Sequence, residues 1–181
     1  AILGESVAYG YSVAYEDTFA ARIEQQLNAR GTGHFEVLNF AVNGYSTVAE
    51  LELYKTRVRD YHPDILLLAY VLNDPLPAAF VVQSVGSARK QADLFKTLSR
   101  YSQLGAWAYL RWQRLVQPMD SQRNYRGMYS NPDSWGGTVK AMTELQQLAQ
   151  QDGTRLIAVV FPLLLDFADY PMRDIHTQVN A

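Results

Sequence analysis

Residues 64–74 read DILLLAYVLND. From Ile65 to Leu72 the run is almost continuously apolar. A strand with one wet face alternates polar and apolar residues. A strand covered on both faces does not, and such strands belong to parallel sheets flanked by helices. The run ends in Asn73 and Asp74, ahead of Pro75, where the chain must leave the sheet.

Working outward, residues 46–64 (STVAELELYKTRVRDYHPD) predict a helix with Thr47 and Glu50 in capping-box spacing. Its apolar stripe is Val48, Leu51, Tyr54, Val58 and Tyr61. Residues 35–42 (FEVLNFAV) alternate and are rich in β-formers, which predicts a strand. Residues 16–31 predict a helix capped by Asp17 or Thr18, with Phe19, Ile23 and Leu27 on one face and Gly31 at its end. The opening AIL is a stub of a first strand. Downstream, residues 138–153 predict a helix ending at Gly153, and residues 154–164 a further strand. Strand, helix, strand, helix, strand, insertion, helix, strand is the order of a parallel α/β sheet with right-handed crossovers.

The insertion spans residues 75–135. PLPAAF reads as a loop, residues 89–116 as one long helix or two broken at Gly105, and residues 123–137 as turn-rich and aromatic. Trp107, Trp112, Tyr125, Tyr129 and Trp135 there can line a pocket or pack a core.

A chain of 181 residues is most economically one domain, residues 1–181. Hydrophobic content of 48% with 19% charged residues argues against disorder. A formal charge of −2 gives no reason to expect nucleic acid as a partner, and no apolar run is long enough to span a membrane. Without cysteine there is no disulfide and no thiol nucleophile, and the compartment stays unassigned. The short first strand, and a final segment (residues 170–181) that stops in mid-pattern, lead us to expect a chain cut at both ends.

In open parallel sheets, ligands bind beyond the carboxyl ends of the strands. Ser6 (in GES), Gly44 (in NFAVNGYS) and Asn73 (in LND) fall at three such ends. Each has a plain alternative. Ser6 can cap a helix, Gly44 can supply a positive φ, and Asn73 can form an Asx-turn.

Together these blocks resemble the SGNH, or GDSL-like, hydrolases, whose first three blocks read Gly-Asp-Ser, Asn-x-Gly-x-x-Gly and Gly-x-Asn-Asp. The resemblance implies a flavodoxin-like three-layer α/β/α fold with a central parallel sheet. It also implies Ser6 as catalytic nucleophile, an oxyanion hole from Ser6, Gly44 and Asn73, and no metal or organic cofactor. Glu5 stands for the usual Asp, Ala41 for the first Gly of the second block, and Val71 for the Gly of the third. The family's Asp-x-x-His block has no counterpart here. His34 and His62 precede strands, at the wrong edge. Asp174 and His176 are two apart, and such residues do not share a helix face. The base is therefore expected beyond residue 181.

The activity this implies is hydrolysis of a small ester or acetylated substrate through an acyl-enzyme on Ser6. Its rivals are an acyltransferase or non-catalytic relative that modifies or binds a glycan or lipid, and a flavodoxin-like binding module. The last lacks either glycine-rich phosphate motif.

Overall fold

The computed structural model describes residues 1–75, 107, 124–165 and 167–181. Strands β1 (Ile2–Gly4), β2 (Ile65–Val71) and β3 (Arg155–Phe161) form a parallel sheet in the order β1-β2-β3. Ile2 pairs with Leu67, and Ile65 through Val71 pair with Arg155 through Phe161.

The strand predicted at 35–42 is reduced to a single bridge, Ile2 to Asn39. The chain still follows the free side of β1: Ile2 N donates to Leu38 O at 2.9 Å, Phe40 N to Ile2 O at 2.9 Å and Val42 N to Gly4 O at 3.0 Å. Two causes keep it from a full ladder. β1 is only 3 residues long. The Asn39 side chain bends the segment, donating to Ala8 O at 2.9 Å and accepting from Ala41 N at 3.1 Å.

Alternation along β2 sorts the core. Leu66 and Leu68 join Leu3, Leu51, Tyr54, Val58, Ala141 and Leu145 beneath α3 (Thr47–Thr56) and α4 (Pro132–Gln151). Ala69 joins Ile2, Ala8, Ala20 and Ala41 on the opposite face, under α1 (Ser6–Tyr9) and α2 (Phe19–Ala29). Helices thus cover both faces, and the architecture is the flavodoxin-like α/β/α sandwich. A third cluster caps the carboxyl end of β2, where Tyr70 and Leu72 meet Tyr129, Tyr170, Met172 and Ile175 at the start of α5 (Arg173–Val179).

Of the two candidate caps for α2, Thr18 takes the role: its Oγ1 accepts from Ala21 N at 3.3 Å, while Asp17 pairs with Arg22 at 2.6 Å. α3 ends early, at Thr56, and a 3-10 turn over Val58–Tyr61 leads to His62 in the left-handed region. Of its predicted stripe, Leu51, Tyr54 and Val58 are buried, while Val48 and Tyr61 are exposed. The capping box does not form. Ser46 occupies the cap position without a side-chain bond, and Thr47 and Glu50 turn into the core.

The stretch 123–137 proves largely helical where turns were predicted. Residues 124–130 form a helix, and α4 begins at Pro132. The Asn-Pro pair that reads as a turn is a helix start. Asn131 Oδ1 accepts from Asp133 N at 2.9 Å, and Pro132 sits at the first helical position, where its missing N–H costs nothing. The predicted loop and long helix of the insertion lie outside the described residues, Trp107 excepted.

The amino edge of the sheet is tightly fastened. Leu67 N donates to Ala1 O at 2.9 Å, Arg155 N to Asp64 O at 2.9 Å and Thr154 Oγ1 to Pro63 O at 2.8 Å. Asp152, just past α4, accepts from Tyr54 Oη at 2.9 Å and from Arg59 at 2.7 Å.

Candidate active site

At the carboxyl edge, three neighbouring segments leave the sheet side by side: residues 4–6 from β1, 42–44 alongside it and 71–73 from β2. Ser6, Gly44 and Asn73 are the residues they deliver.

Ser6 opens α1, yet it does not cap it. The cap is Glu5, whose carboxylate accepts from Val7 N at 3.3 Å. The Ser6 hydroxyl donates to the other oxygen of Glu5 at 2.5 Å. Gly4 lets this turn press on β2: a Cβ on Gly4 would lie 2.5 Å from Ala8 Cβ and 2.9 Å from Ala69 Cβ.

Gly44 has φ +81°, with open space where a side chain would go. Glycine is therefore demanded by backbone conformation and not by crowding. Asn73 forms no Asx-turn. The next residue ties the turn instead: Asp74 Oδ2 accepts from Val71 N at 3.1 Å, and Asp74 N donates to Val71 O at 3.0 Å. At both strand ends, then, the neighbouring acid bonds the backbone; Asp74 leaves the Asn73 side chain unspent, while Glu5 also accepts from the Ser6 hydroxyl.

Those acids are buried with a third. Glu5, Asp74 and Glu50 of α3 are 3%, 1% and 0% exposed. Burial, and secondarily the charge of Glu5, pushes the Glu50 carboxyl up to about 8. Burial, then Glu50, holds Asp74 well above the usual carboxylate range, against the lowering effect of the Val71 N–H. Tyr70 and Tyr129 share a hydroxyl–hydroxyl bond of 2.7 Å nearby, and burial raises both.

His34 and His62 are exposed; His62 precedes β2 as predicted, and His34 precedes residues 35–42, which make only one bridge. His176 lies in α5 with its Nε2 3.1 Å from Tyr170 Oη, and burial lowers its pKa. It lines a 630 Å³ cleft with Val160 and Pro162 at the carboxyl end of β3, two strands from Ser6. Asp174 is engaged elsewhere, by Arg126 at 3.3 Å. Among the described residues no imidazole bonds Ser6.

Sequence reasoning missed Asn39, Glu50 and Asp74. Asn39 opens the second block and ties it to α1. Asp74 was visible only as the partner of Asn73. Glu50 carried a signal that pointed elsewhere, because capping-box spacing is the same whether the acid reaches the backbone or the core.

No curated protein matches the sequence. A family model does, over residues 2–180, and it spans all three strand-end blocks. Its extent, with the parallel sheet and the blocks side by side at the carboxyl edge, makes this chain a member of the GDSL-like lipase/acylhydrolase family of SGNH hydrolases.

Proposed function

We propose that the chain is a serine ester hydrolase acting on a small ester or acetylated substrate through an acyl-enzyme. Ser6 Oγ attacks the acyl carbonyl carbon, the tetrahedral oxyanion forms, and the alcohol leaves with a proton. Water then releases the acid. The N–H groups of Ser6 and Gly44 and the Asn73 side-chain amide are the oxyanion donors in this reading. It needs no cofactor. The observation that supports it best is the division of labour at the strand ends: Glu5 and Asp74 bond the backbone, and Asn73 and the Gly44 N–H have no acceptor among the described residues.

A serine-directed fluorophosphonate, with p-nitrophenyl acetate hydrolysis alongside, tests it. The probe should label the wild-type chain, and Ser6→Ala should lose both labelling and turnover above background. Equal hydrolysis by Ser6→Ala would remove Ser6 from the chemistry. A second reading, a relative that binds without turnover, is favoured by the Ser6 hydroxyl meeting Glu5 and no imidazole. A folded wild-type chain that resists the probe would support it.

A further inference from the structure

Beneath the candidate site lies a buried cluster of acids, one from each segment that delivers a site residue. Glu5 precedes Ser6, Asp74 follows Asn73, and Glu50 lies in the first turn of α3, which starts 3 residues past Gly44. Both Glu50 oxygens are buried with no hydrogen-bond partner among the described residues, and the Thr47 hydroxyl beside Asp74 is the side-chain donor that favours that carboxylate. Glu5 acts on Glu50, Glu50 and Glu5 act on Asp74, and both Glu50 and Asp74 act on Tyr70 of β2, which is paired with Tyr129. α4 meets α3 through a peripheral ion pair, Lys55 with Glu144. No cation faces the cluster among the described residues.

Carboxylates stripped of water, without a cation or enough donors, do not all stay ionised. A proton on one supplies the O–H donor that the next one lacks. Asp74 is already committed to the turn through Val71 N, and Glu5 to Val7 N and Ser6 Oγ. Glu50 has neither of its oxygens committed.

We propose that Glu50 is a positioning residue that carries a proton at neutral pH, donates it to the Asp74 carboxylate, and so ties the turn bearing Asn73 to α3. Its loss of that proton sets the site's alkaline limit. The catalytic half of this inference rests on Ser6 being the nucleophile; the half concerning protonation and stability does not. The rise of the Glu50 carboxyl to about 8 agrees with it. The folded chain keeps the proton to higher pH than the unfolded chain, so the stability it contributes is complete below about 4.5 and is lost as pH rises toward about 8.

The test is melting temperature and p-nitrophenyl acetate kinetics, each against pH, for the wild-type chain, Glu50→Gln and Glu50→Ala. The wild type should lose melting temperature across that window, and Glu50→Gln, a neutral isostere, should flatten the loss. Glu50→Ala should lower kcat about tenfold or more with KM little changed, and Glu50→Gln should restore it and move the alkaline limb. A Glu50→Gln melting profile parallel to wild type would overturn the buried proton, and a Glu50→Ala kcat equal to wild type would overturn the positioning role. Should Glu50→Ala not fold, the Glu50→Gln kinetics decide: an unmoved alkaline limb overturns the role. Hydrolysis surviving in Ser6→Ala would defeat the nucleophile reading instead, and the melting profiles would still decide on the proton.

Discussion

Two glycines show how differently one residue type can be required. Gly4 is required by space and Gly44 by conformation. Gly4→Ala should lower stability by about 1–3 kcal/mol, the usual cost of overpacking, read as a fall in melting temperature. In the proposed function Asn73 belongs to the chemistry. In a chain that turns over p-nitrophenyl acetate, Asn73→Ala should reduce kcat by about 10²-fold, the loss of one oxyanion donor. KM should move far less, because the donor acts on charge that develops in the transition state. An unchanged kcat would reduce Asn73 to a turn residue. At this scale the sequence was readable for placement: Ser6 and Asn73 follow β1 and β2, and Gly44 follows the segment that runs beside β1. It was silent where orientation decides. Nothing in the letters distinguishes a Glu50 bonded to its helix end from one turned inward under Ser6.

Helix boundaries test local chemistry. The α4 start depends on Asn131, whose side chain takes up two of the unpaired N–H groups of the first turn. Asn131→Ala should cost about 1 kcal/mol, measured by denaturant unfolding. Gly136 and Gly137 lie inside the helix with open space around each missing Cβ. Alanine at either should therefore stabilise by about 0.5–1 kcal/mol in the same assay. Helix existence was legible from periodicity in α2 and the body of α4, while the buried face of α3 mixes Thr47 and Glu50 with Leu51 and Tyr54. The start of α4 was not legible, because Asn-Pro and paired glycines favour turns when read alone. The Asn131 cap, Pro132 at the first helical position and the packing of Tyr129 on Trp135, with rings 5.0 Å apart, favour helix there. The strand at 35–42 failed for the converse reason. Its propensity was sound, but its partner β1 offers too little ladder to hold it.

For the whole molecule, the apolar run of β2 together with the alternation of strands and helices implied a parallel sheet with helices on both faces. The order of packing followed from the alternation. What the run could not reveal is how unequally the two ends of the sheet are secured. At the amino edge, Asp152, Thr154 and Arg155 lace α4 and β3 to Tyr54, Arg59, Pro63 and Asp64. At the carboxyl edge, among the described residues, both Glu50 oxygens lack a partner and the Asn73 side chain and Gly44 N–H stay unspent. Local opening begins where fewest bonds resist it. Warmed slowly, the molecule should therefore come apart like a book bound along one margin. Its chemistry would fail several degrees before the far-ultraviolet signal of its helices fades, and amides near Ser6 and Asn73 would trade hydrogen for deuterium well ahead of those around Asp64.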